Sequence, residues 1–201
     1  MKKGFTLAEV LITLGIIGVV ASLTMPALIG NYRKNVVIVR MQKFYSVFNQ
    51  ALKMSEVDNG PIKDWTFATL YDYDENVEFY QKYLKKHMKV LKYEEFHDLN
   101  MPITGVKIYF PDGSAANVDH VYVIFYPVAG KTAKMGRDSF SFIITDNGLR
   151  PEGYLVQQRA NIINNVTFGC NNGSSYARGR YCAALIMYDN WKISDDYPIK
   201  F

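Results

Sequence analysis

Cysteine and histidine are scarce, with two of the first and three of the second in 201 residues, which leaves little material for a multi-ligand metal site. His87, His97 and His120 are scattered. No HExxH, CxxC or GxSxG sequence occurs, and no glycine-rich phosphate loop precedes a lysine, so catalysis, a cofactor and a bound metal are not expected. Neither sign of charge dominates, since 23 basic residues face 19 acidic ones for a net charge of +4. With 49% hydrophobic and 21% charged residues, wholesale disorder is excluded. A mean hydropathy of -0.09 excludes a polytopic membrane protein. What remains is one modest domain plus an appendage, rich in aromatic residues with 15 tyrosines and 12 phenylalanines, enough for a sheet-containing core.

The average conceals one greasy segment. Residues 10–29, VLITLGIIGVVASLTMPALI, carry no charge and match the roughly 20 residues a helix needs to cross hydrocarbon. The short basic start Met1-Lys2-Lys3-Gly4 admits a secretory signal reading. Against it, the run exceeds the ~7 to 15 residues of a signal core, no A-x-A site follows, and no cysteine follows to carry a lipid. A plain single-span anchor leaves Glu9 unexplained. A carboxylate inside an apolar helix costs roughly 2.5 to 3.5 kcal/mol on insertion scales and asks for a partner. Cleavage after Gly4 would create that partner, a cationic α-amine on Phe5 one helical turn from Glu9.

The residues Gly4-Phe5-Thr6-Leu7-Ala8-Glu9, with the lysine-containing leader and the apolar helix behind them, resemble the processing site of type IV pilins and type II secretion pseudopilins. The resemblance implies that Gly4 is the cleavage residue for a prepilin peptidase, Phe5 the methylated terminus and Glu9 the assembly residue. Pro26 falls where pilin helices often bend, in keeping with the backbone donor that proline lacks. It also implies partners: other pilin or pseudopilin subunits, an inner-membrane assembly platform with its ATPase, and the lipid bilayer before assembly. The N-terminus would lie in the cytoplasm and the head outside, later in an extracytoplasmic filament. The flanking charges do not decide orientation, because Lys2 and Lys3 precede the span while Arg33 and Lys34 follow it. Ala8, Gly15 and Ser22 recur every seven positions, with Gly18 four before Ser22. That narrow face reads either as subunit packing or as the ordinary abundance of small residues in membrane helices.

The expected organisation is a leader over residues 1–4, a transmembrane and assembly half-helix over 5–30, an amphipathic half-helix over 31–56, and a head over 57–201. In the second half-helix Tyr32, Val36, Val39, Phe44, Val47, Phe48, Ala51 and Leu52 form the apolar stripe, until Asp58-Asn59-Gly60-Pro61 stops the helix. Arg33, Lys34, Arg40, Lys43 and Lys53 between them read as a solvated face or, for the first two, a headgroup contact. Residues 65–95 read as largely helical, with Val77, Tyr80, Tyr83, Leu84, Met88 and Leu91 inward and a lysine-rich face outward. From Val106 the period becomes two. Strands are expected over 106–110, 115–118, 121–128 and 139–145, with turns at Pro111-Asp112-Gly113-Ser114 and Asp146-Asn147-Gly148. The fold class is therefore α+β, and the resemblance implies the same pilin-like layout of a long helix on a small antiparallel sheet.

In an exported domain, Cys170 and Cys182 are expected to form a disulfide around a loop-like stretch, the alternative being two buried thiols. Asp72, Asp74 and Glu75, and again Asp189, Asp195 and Asp196, read as solvated acidic turns or as calcium ligands without the loop spacing that would assign them. Lys131, Lys134, Arg137, Arg159, Arg178 and Arg180, with Tyr176 and Tyr181, raise nucleic acid as a partner. Loss of Lys2 and Lys3 leaves 21 basic against 19 acidic side chains, only +2, so nucleic acid is not expected. The functional expectation is a filament subunit. The alternative is a minor or tip subunit that binds a secreted protein, a surface or DNA.

Overall fold

The computed structural model describes residues 4, 6–97, 104–130, 134–173 and 177–201. They fall into two compact units, one reaching to Val36 and the other spanning Val37–Lys200. Helix α1 (Leu7–Asn59) provides the whole regular structure of the first unit and one wall of the second. It ends where expected, at Gly60 with φ 81°, a conformation that costs glycine nothing, followed by Pro61, which has no amide hydrogen to continue the ladder.

In the second unit α1 lies against a six-stranded antiparallel meander, β1 (Lys92–His97), β2 (Thr104–Tyr109), β3 (Ala115–Asp119), β4 (Tyr122–Tyr126), β5 (Phe140–Thr145) and β6 (Gly148–Pro151), in sheet order β1-β2-β3-β4-β5-β6. Ile108, Ala116, Phe125 and Phe140 form one row across β2 to β5, all fully buried. Phe44 of α1 stacks on Phe125 at 4.3 Å between ring centroids and meets Phe142 edge-on at 5.6 Å, which fixes the helix on the sheet. The buried stripe is Val37, Met41, Phe44, Phe48, Ala51, Leu52 and Ser55, an i, i+3, i+4 series. Its phase differs from the expected one, since Tyr32 and Val39 are 68% and 63% exposed. Val39 lies two positions, about 200° around the helix, from Val37, so a stripe set by Phe44 and Phe48 leaves it outside.

The structure corrects two further expectations. Residues 65–95 are helical only in part: α2 (Tyr73–Phe79) passes into a π-helical turn, Tyr80–Leu84, then a 3-10 turn, Lys85–His87. Tyr80, Tyr83, Leu84 and Met88 face inward as expected, but Leu91 is 67% exposed and residues 92–97 are strand β1. The cause is tertiary. Leu91 N–H donates to the Tyr109 carbonyl, and six register pairs with β2 then supply the backbone hydrogen bonds a helix would have made. Beyond the turn at Asp146-Asn147-Gly148 the pattern predicts no strand, because four residues ending in proline carry little periodicity, yet Gly148–Pro151 form strand β6. It is an edge strand, where Pro151 lacks only an amide with no further strand to meet.

β3 is buried at all five positions, so both faces of the sheet are covered and simple alternation fails there. On the face opposite α1, Met135 packs with Ala115, Ile124 and Tyr126. Lys107 is buried beside them, its ammonium 4.3 Å from the Phe96 ring centroid and 4.6 Å from that of Tyr126. The C-terminal third contains α3 (Arg159–Asn164) and α4 (Cys182–Tyr188), and α4 buries Cys182 to Ile186 against β5 and β6. Buried Asp119 ties the β3–β4 turn to the α2 entry, accepting the Tyr71 N–H at 2.9 Å and the Asn76 side-chain amide at 3.1 Å. Burial raises its pKa despite those bonds.

Candidate functional site

The residues that the sequence singles out divide between the two units. In the first, Gly4 is exposed just ahead of the helix, while Phe5 and leader residues 1–3 lie outside the described residues. Thr6 is the residue before α1 and Glu9 lies in its first turn. Glu9 Oε2 accepts the Thr6 N–H and the Thr6 hydroxyl, each at 2.8 Å, and the Glu9 N–H in turn reaches Thr6 Oγ1 at 3.3 Å. This is a capping box, in which side chains satisfy amides that the first turn of any helix leaves free. The sequence reasoning missed it, although Thr6-Leu7-Ala8-Glu9 is the T-x-x-E pattern that signals it. The carboxylate also meets the positive end of the helix macrodipole.

Behind this polar start the helix is apolar on every side. Leu11, Ile12, Leu14, Ile16, Ile17, Val19 and Val20 are all more than half exposed. A surface of that kind is stable among lipid tails or like helices, not in water. The hydroxyls within it are turned back on the backbone: Thr13 donates to Val10, Ser22 to Val19 and Thr24 to Val20, at 2.8 to 3.0 Å. Glu9 is the single charged side chain before Arg33 in α1. Pro26 lies inside α1, with helix on both sides.

In the second unit, Cys170 and Cys182 are joined, twelve positions apart in sequence with Cα atoms 4.6 Å apart. Cys182 begins α4, so the bridge pins the preceding loop to a buried helix rather than closing a free loop.

The cations of this set that lie among the described residues are engaged one by one. Arg159 holds Asp189 bidentately at 2.8 and 2.9 Å and also reaches Asp196. Its hydrogen bonds to Asp189 and Asp196 raise its pKa, and those from Ser194 and Arg159 lower that of Asp196. Arg180 bonds Glu152 at 2.6 Å above the Tyr122 ring, Arg137 bonds Asp138, Arg178 bonds Asn171, and Lys134 bonds Asn172. Lys131 and Tyr176 lie outside the described residues.

The acidic clusters are occupied in the same way. Asp72 caps α2 through the Glu75 N–H, and Glu75 accepts the Thr69 N–H, while Asp189 and Asp196 clasp Arg159. The histidines sit apart, His87 against Asp58, His97 against Glu95 and His120 against the Ala68 carbonyl. Among the described residues no three His, Cys, Asp or Glu side chains converge on a point where a metal would sit.

Two family models match the chain. Residues 1–25 match the prokaryotic N-terminal methylation motif, the signature of type IV pilins and pseudopilins. Residues 27–201 match a family of unknown function, DUF6613. No curated protein and no solved structure matches. Because the second match takes in most of its 201 residues, the chain belongs to the DUF6613 family, with the prepilin-type methylation signature at its amino terminus.

Proposed function

We propose that this chain is a structural subunit of a type IV pilus-like or type II secretion pseudopilus filament. A prepilin peptidase cuts after Gly4, Phe5 becomes the methylated terminus, and the subunit assembles through the amino-terminal half of α1. The observation that carries the reading is the junction of the methylation motif with an exposed apolar helix whose one charged side chain before Arg33 is Glu9. Such a helix waits in the bilayer with its amino terminus in the cytoplasm and its head outside. It then moves into the filament core, where Glu9 meets the new α-amine within a subunit or on a neighbour. Pro26 gives the helix a place to bend on packing. The chain acts without chemistry of its own, and the work of assembly belongs to an inner-membrane platform and its ATPase.

A second reading is a minor or tip subunit that binds a secreted protein, a surface or DNA. It is favoured by apolar side chains left outside on the cystine-bearing part of the head, Leu155 at 75% and Val166 at 78% exposed. Stoichiometry separates the two, since a shaft subunit is abundant and a tip subunit scarce.

The test is expression of the full chain with and without a prepilin peptidase, followed by intact mass and amino-terminal sequencing. Loss of residues 1–4 together with a methyl group on Phe5 is the expected product. An uncut chain, or one cut after residue 29, would reduce the segment to an anchor or a signal.

A further inference from the structure

In the second unit a cavity of about 270 Å3 opens between α1 and the β2–β3 turn. Its wall is apolar, made by Phe44, Val47, Phe48 and Phe110. Of its polar lining, Ser114 is buried and its hydroxyl donates to Asp112, while the two lysines reach solvent. The Lys43 side chain is 59% exposed and bridges to Asp112 at 2.8 Å, and Lys89 is exposed beside it. Two ammonium groups and one carboxylate leave the mouth with a net charge of +1. The cavity is nearly twice the roughly 150 Å3 of an engineered apolar cavity that stays dry and takes benzene, so it holds about a dozen non-hydrogen atoms. A cavity with a greasy wall and a cationic lip suits one kind of molecule, a single aliphatic chain that ends in an anion.

We propose that this cavity binds a medium-chain aliphatic carboxylate or the equivalent anionic amphiphile, with the chain against Phe44, Phe48 and Phe110 and the anion at Lys89 and Lys43. The aromatic wall supplies most of the contact area, and the lysines select the sign of the headgroup.

The test uses the full chain in phosphatidylcholine nanodiscs with a diazirine derivative of decanoate as the probe. After irradiation, adducts are mapped by mass spectrometry and only those on the head are read. The expected result is labelling of the peptides around residues 43–48 and 110–114, suppressed by excess decanoate and little affected by decylamine. Val47→Trp, which fills the cavity, and the exposed charge reversal Lys89→Glu are each expected to lower that labelling by about tenfold, the equivalent of ~1.4 kcal/mol. Lys89→Glu keeps the test decisive should Val47→Trp disturb folding. Labelling spread evenly over the head, or unprotected by decanoate, would overturn the site. Equal protection by decylamine would overturn the anion.

Discussion

The Glu9 carboxylate accepts both the backbone N–H and the hydroxyl of Thr6 at 2.8 Å, so the residue expected to guide assembly also caps its own helix. The two duties separate experimentally. Glu9→Ala is expected to leave cleavage after Gly4 intact and to lower incorporation into filaments by about tenfold or more, because the pair it removes offsets an insertion cost of roughly 2.5 kcal/mol or more. Thr6→Val removes only the hydroxyl, a cap worth about 1 kcal/mol, and should lower incorporation far less. Measuring cleaved fraction and filament content for both variants decides it, and normal incorporation of Glu9→Ala would remove the assembly role.

Removing the cystine tests how the C-terminal third is held. Cys170→Ser with Cys182→Ser opens a link spanning twelve positions. In the chain-entropy model a loop of this size is worth about 3 kcal/mol. For a protein of this size that corresponds to a fall in melting temperature of about 6 to 12 °C, readable by thermal denaturation of the oxidised chain and the double variant.

Gly136 should not tolerate a side chain. Its φ is +83°, and a Cβ there would lie 2.5 Å from both Cys182 Sγ and Ile199 Cδ1, atoms held by the cystine and by the core. The left-handed conformation costs a non-glycine residue about 1 to 2 kcal/mol, and overpacking adds about 1 to 3. Gly136→Ala is therefore expected to destabilise by roughly 2 to 5 kcal/mol in denaturant unfolding. Gly130→Ala is the comparison, since its φ is +92° but its Cβ would meet nothing among the described residues, and it should cost only the backbone part.

Asp112 predicts a pH dependence. Burial alone would raise its pKa, but hydrogen bonds from Lys43 and from the Ser114 side chain and backbone outweigh it and hold the carboxyl at about 2, below the ordinary 3.8. A folded value below the unfolded one means that the ionised form stabilises the fold. That contribution is complete above about pH 4 and is lost as pH falls toward 2. In acid titrations of stability, Asp112→Asn should be less stable than the parent at pH 6, with the gap closing between pH 4 and 2. A gap that persisted unchanged at pH 2 would show that packing, not charge, set the effect.

Much of the fold can be read one residue after another. The apolar run at 10–29, the Gly60-Pro61 stop and the Asp112-Gly113 turn all appear where the pattern places them. The strand at 92–97 does not, because its lysine and two glutamates suit a helix and only pairing with β2 makes it a strand. The loop cations read as available from the sequence, yet Arg159 lies thirty positions from Asp189 and Arg180 twenty-eight from Glu152.

The sequence by itself therefore determined the apolar amino-terminal helix, the methylation signature, the helix stop and the hairpin turns. Each depends on residues within one or two turns of one another, where local sterics and hydrogen bonding decide the outcome. Tertiary structure alone decided the phase of the buried stripe on α1, the burial of β3 on both faces, the charge partners of the head and the cavity beneath the Lys43–Asp112 pair. These rest on contacts between residues tens of positions apart. No local preference specifies them, and they form only when a complementary surface offsets the entropy of closing the intervening chain.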